Sequence, residues 1–119
     1  MLLLAASPDA VGAWAPVGVT DSRLRVFVER SSVRVSGDRR TARVRIGSPG
    51  AIAGPIVLVY QDEEVDCRAR TWRLAAYDAR DADDRIVRQG KSAAAALPVV
   101  EGTIGEAVLS TVCTMAAGS

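Results

Sequence analysis

The residues of this chain with the most chemistry in them are its two cysteines: Cys67, inside the charge-rich run EEVDCRART at 63 to 71, and Cys113, close to the C-terminus. Such a pair can ligate a metal, supply a nucleophile, or close a disulfide. A tetrahedral metal shell needs four ligands, and a chain without a single histidine has little to add to two sulfurs. A catalytic cysteine normally works with a base. Here the neighbouring Arg68 and Arg70 would at most depress the thiol pKa, which makes a reactive sulfur and not a mechanism. Disulfide formation fits the even count and a short chain rich in β signals. Closing a loop of about 46 residues would stabilise the fold by about 4 kcal/mol in the chain-entropy picture, a large share of a typical total of about 5–15 kcal/mol. The expectation is therefore a Cys67–Cys113 staple, with no metal and no cofactor.

The second set of chemically capable residues is cationic. Arg43 and Arg45 alternate along one strand-like run, and Arg68, Arg70 and Arg73 along another. If the two runs pair, the five guanidinium groups form a cationic ladder able to bind carboxylates or sulfates in bidentate fashion. A protein or an acidic polymer is the partner class this implies. The competing reading is a solvated sheet face whose arginines are neutralised by Glu63, Glu64 and Asp66. Trp72 and Tyr77 read as core. The acidic stretch Asp78, Asp81, Asp83, Asp84 lacks the glycine and closing glutamate of a calcium loop, so it reads as a solvated turn.

Global charge narrows the classes further. Fifteen Lys plus Arg against fourteen Asp plus Glu leave a formal net charge of +1, which gives no field for nucleic acid. Without histidine, and with no nucleophile–base pair or spaced carboxylate dyad, the chain does not read as an enzyme. No stretch reaches the roughly 18 apolar residues of a membrane span. Residues 1–13, MLLLAASPDAVGA, join an apolar run to small residues and read as the remnant of a signal peptide, without a lipid-anchor cysteine. The remaining 14–119 then form a single domain of a periplasmic or secreted protein.

The elements that must position these residues are mostly strands. WAPVGVT, from Trp14, reads as a first strand that Pro16 confines to an edge or an end. LRVFVE (24–29) and TARVRI (41–46) alternate with period two and read as an antiparallel pair, with a turn at Ser36-Gly37-Asp38 between them. GSPGAIAGP (47–55) is a loop, and IVLVY (56–60) is a short β-branched strand. A long central strand is expected from about Val65 to Tyr77. It would need a bulge, because strict alternation cannot place Cys67 and Leu74 on one face. Residues 78–85 form a turn, RIVRQ the last strand, and KSAAAALPVV at most a helical turn limited by Pro98. Thr103 and Glu106 make a T-x-x-E capping box for a helix over 104–116, with Ile104, Val108, Leu109, Val112, Cys113, Met115 and Ala116 on one half of the wheel.

Taken in order and spacing, the opening tryptophan, VFVERSSV, RTARVRI, EVDCRARTWRLAAYD and EGTIGEAVLSTVC resemble the surface-adhesin protein E family over about residues 14–116. The resemblance implies an α+β fold, here an antiparallel sheet of about six strands with a C-terminal helix on its concave face, tethered by the disulfide. It also implies a non-enzymatic domain of the bacterial envelope that binds a macromolecular partner, since the family includes a surface protein that binds host matrix and serum proteins. The alternative is a structural or accessory envelope protein, docking on another protein or forming a homodimer through an edge strand such as 24–29.

Overall fold

The computed structural model describes residues 13–115; apart from Ala13, the expected signal remnant lies outside the described residues, as does Ala116 of the expected helix. The chain runs β1 (Trp14–Val19), β2 (Arg25–Glu29), a 3-10 turn (Arg30–Ser32), β3 (Arg34–Ser36), β4 (Arg39–Gly47), β5 (Leu58–Asp66), β6 (Thr71–Arg80), β7 (Ile86–Lys91), β8 (Leu97–Pro98) and α1 (Ile104–Thr114). All pairings are antiparallel, in the order β1-β2-β4-β5-β6-β7. The long strands β4, β5 and β6 form the middle, and a pair of short strands shares each flank. β2 and β3 both lie along β4; β7 and β8 both lie along β6.

Side-chain parity sorts the sheet into two faces. On β4, Ala42 and Val44 are buried on the inner face, and Arg43 and Arg45 stand on the other. Helix α1 covers the inner face, packing Val108, Leu109 and Val112 against Val26, Val28, Val44 and Val65 in one continuous core. An eleven-residue helix is marginal alone in water, so this apolar contact is what holds it. Thr103 caps it as expected, its Oγ1 accepting from the Glu106 N–H at 3.4 Å. Glu106 reaches back one residue further than in a standard capping box, accepting from the Gly102 N–H at 3.1 Å. The C-terminal end is fixed covalently: Cys67 and Cys113 form the disulfide, their Cα atoms 5.8 Å apart.

Several expectations are corrected. Residues from Val65 to Tyr77 are not one strand but two strands of a hairpin with Cys67 in the turn. Asp66 accounts for the reversal: its Oδ1 accepts from the Arg68 and Ala69 N–H groups at 3.0 and 2.8 Å, while its carbonyl accepts from Arg70 N–H at 2.8 Å. An aspartate that bonds the backbone ahead of it competes directly with strand continuation. The turn also needs Arg70 at a φ of 57°. β5 begins at Leu58 and continues through the charged residues to Asp66, since Tyr60, Asp62 and Glu64 face outward while Glu63 and Val65 are buried. The 24–29 run is interior to the sheet, flanked by β1 and β4, so it offers no free edge. Residues 91–98 hold no helical turn and end in β8.

A bulge is present, but further along than the Cys67–Leu74 argument required. Asp62 faces Ala76 and Glu63 faces Leu74, leaving Ala75 as the extra residue of β6. Before it, Trp72 and Leu74 share the inner face with their partners Val65 and Glu63; after it, Ala76 and Asp78 stand opposite the outward Asp62 and Tyr60. One inserted residue inverts the parity of the strand.

A candidate binding surface on the outer face

The register carries one row of side chains across the outer face: Pro16, Phe27, Arg45, Tyr60, Asp78 and Gln89, each the cross-strand partner of the next. Arg45 lies over both aromatics beside it, its guanidinium carbon 4.4 Å from the Trp14 ring centre and 4.7 Å from that of Phe27. Tyr60 receives two further guanidinium groups, Arg43 at 4.4 Å and Arg80 at 4.7 Å, and its ring lies 5.9 Å from Trp14. Contacts of this kind contribute about 0.5–1 kcal/mol each at exposed sites. Together they make a continuous layer of alternating rings and cations.

Carboxylates complete the layer on one side. Asp78 accepts from Arg43 at 3.0 Å and from Arg80 at 2.9 Å; Arg43 also reaches Asp62 at 3.1 Å, and Arg80 reaches Asp84 at 3.1 Å. Burial acts to raise the Asp78 carboxyl, but hydrogen bonds from Arg80 and Arg43 outweigh it and hold the group below its ordinary range. Burial likewise opposes the charge on Arg43, and the two aspartates more than offset it. The parity change at Ala75 is what brings Asp78 and Arg80 to this face at all.

The five expected arginines therefore fall in three places. Arg43 and Arg45 share the outer face of β4. Arg73 stands on β6, separated from β4 by β5 and held there by Glu64 at 3.3 and 2.9 Å and by the Ser92 carbonyl at 3.1 Å. Arg68 and Arg70 belong to the β5–β6 turn. Arg68 is exposed, and Arg70 bridges to Glu106 of the helix at 3.0 Å. The two arginine-bearing runs do not pair, so no five-membered ladder forms. Of the three acids read as their neutralisers, Glu64 holds Arg73, Asp66 is committed to the turn, and Glu63 is buried on the inner face. Among the described residues Arg45 has no carboxylate within ion-pair distance, which sets it apart from Arg43, Arg70, Arg73 and Arg80.

Sequence reasoning missed Trp14, Phe27, Tyr60, Asp78 and Arg80 as members of this surface. Phe27 carried a signal, because it alternates against Val26 and Val28; Asp78 and Arg80 carried none while the bulge was misplaced. Among the described residues no cluster of His, Cys, Asp or Glu is arranged to hold a metal, and no helix is long and apolar enough to cross a membrane. The sequence profile described as Surface-adhesin protein E matches residues 14–114. No curated protein matches the chain, and no solved structure matches it.

Proposed function

Because the chain belongs to the surface-adhesin protein E family, we propose that it is a non-enzymatic exported domain that binds a macromolecule bearing carboxylates or sulfates through the outer face of its sheet. The family as a whole implies an exported or surface protein; a periplasmic or secreted location is the reading adopted for this one. The observation that carries the proposal is Arg45. Its guanidinium is stacked on Trp14 and Phe27 and meets no carboxylate among the described residues, so its N–H donors remain for an incoming anion. Aromatic stacking fixes the plane of the group beforehand, which reduces the conformational entropy lost on binding. Exposed Arg68 adds a second cation in the β5–β6 turn. Arg43, Arg70 and Arg73 are held by protein carboxylates and act by fixing the surface.

Heparin and poly-glutamate are the two probes that separate sulfate from carboxylate recognition. Arg45→Ala weakens retention on whichever polymer binds by roughly tenfold, Arg68→Ala by less, and Arg43→Ala chiefly lowers stability. Equal retention of Arg45→Ala and the unchanged protein on a polymer that binds would overturn the proposal. A homodimer is the second reading, favoured by one observation: β7 leaves an edge of the sheet unpaired among the described residues and exposes Ile86 and Val87. Sedimentation at rising concentration decides it, since a dimer through β7 is lost in Val87→Lys and a strictly monomeric protein removes the reading.

A further inference from the structure

The inner face holds a carboxylate with no hydrogen-bond or ion-pair partner among the described residues. Glu63 sits between Ala42 of β4 and Leu74 of β6 and is 9 % exposed. Burial alone acts on it, raising its pKa to about 7, and no hydrogen bond or charge offsets that burial. Among the described residues the fully sealed side-chain atom without a partner is Arg40 Nε, not a Glu63 oxygen, so the Glu63 carboxylate meets the space beside it and not a closed core. Beside it the helix does not close onto the sheet. A cavity of about 310 Å³ lies between the first turns of α1 and the inner face, walled by Val26, Val44, Trp72, Ile104 and Val108, with Glu63 as its one ionisable lining residue. Val100, another of its lining residues, is exposed.

We propose that this cavity is a binding site for a small apolar amine, whose hydrocarbon body fills the space under the helix and whose ammonium group is received by Glu63. The volume is at the small end of ligand cavities, which run from roughly 300 to 1,000 Å³. Apolar walls select a hydrocarbon body, and a lone carboxylate selects a cation. An anion would meet like charge in a weakly screened site, and a purely apolar compound would leave Glu63 as poorly satisfied as before. Trp72 lines the same cavity and presents an aromatic ring suited to an ammonium.

The surrounding charges do not compete for the role. From β4 the nearest inner-face cation by register is Arg40, opposite Val65; its Nη1 is tied to the Gly37 and Arg39 carbonyls at 2.7 and 3.0 Å, its Nε is buried without a partner, and no ion pair joins it to Glu63 among the described residues. From β6 the titratable inner-face group is Tyr77, opposite Gln61. The helix brings Glu106, already engaged by Arg70 and the Gly102 N–H, and Glu101 before it is exposed.

Phenethylamine, 2-phenylethanol and 3-phenylpropanoate share one body and differ in the head group, so calorimetric titration with the three tests the site. At about pH 8 the amine binds saturably and perturbs the methyl resonances of Val44 and Val108, the alcohol binds roughly tenfold more weakly, and the carboxylate does not bind. Glu63→Gln brings the amine down to the affinity of the alcohol. In the unchanged protein the amine affinity rises about tenfold between pH 6 and pH 8, because Glu63 must lose its proton to receive the ammonium. Absence of saturable amine binding, equal affinities for amine and alcohol, or a pH-independent amine affinity would each overturn the proposal.

Discussion

The two faces of the sheet handle charge in opposite ways. On the outer face Asp62, Asp78 and Glu64 each meet an arginine within 3.1 Å. On the inner face Glu63, one residue along from Asp62 and from Glu64, has none. These three acids are adjacent in sequence and identical in intrinsic chemistry to within a methylene. Their difference is the strand pleat, which turns alternate side chains to opposite environments. Charge in this fold is thus sorted by parity.

The comparison can be broken most severely from the inner side. Removing the staple with Cys113→Ser frees the end of the helix, and the closed loop of 46 residues is worth about 4 kcal/mol. The loss is measured as a shift in denaturant midpoint, and the two tryptophans report it face by face. Trp72, packed against the core, changes emission at lower denaturant than Trp14, which stands among the outer-face arginines. Coincident transitions of single-tryptophan variants would mean that the faces do not separate.

A smaller effect sharpens the contrast through pH. Glu63 is raised from an ordinary 4.5 to about 7, so between those values the folded protein keeps a proton that the unfolded chain has released. Stability from this group is full below about pH 4.5 and is lost as pH rises towards 7, by about 3 kcal/mol. Glu63→Gln removes that loss, so its advantage over the unchanged protein grows by about 3 kcal/mol between pH 4 and pH 8 in urea titrations. A constant difference across that range would show that Glu63 is solvated or paired.

The smallest effect is on the outer face and has the opposite sign. Asp78 is held below its ordinary pKa, so its contribution is present at neutral pH and disappears as pH falls through the folded value. Asp78→Asn costs about 1 kcal/mol at pH 7, since the network is partly screened by water, and less at about pH 2. Thermal unfolding of the pair of proteins at the two pH values checks it. A larger cost at acid pH would reverse the assignment of the shift.

How much of this was legible in the sequence depends on whether the deciding interaction was local. The helix was, because Thr103, Glu106 and the apolar spacing of Val108, Leu109 and Val112 all lie within one short segment. The alternation of β2 and β4 was legible for the same reason, and so was the staple, which needed only two cysteines and a compartment. The β5–β6 hairpin was not, because its turn has no glycine or proline: Asp66 makes it with its side chain, and Arg70 takes the left-handed conformation. The bulge was not, because its extra residue is an alanine between an alanine and a leucine, and only pairing with β5 singles it out. Glu63 was hidden for a third reason. In a run of acids beside a run of arginines, nothing but the parity of β5 tells which acid is buried.

The hairpin turn grips the helix twice, covalently at Cys113 and through the Arg70–Glu106 ion pair seven residues earlier. A pull on the two ends of the chain therefore bypasses everything between Cys67 and Cys113. β6, β7, β8 and the helix hang inside a closed loop that carries no load, and about 160 Å of extended chain is withheld from stretching. What tension can unravel is the segment before the first sulfur, and that segment holds Trp14, Phe27, Arg45 and Tyr60. Under load, the bonded loop would outlast the surface beside it.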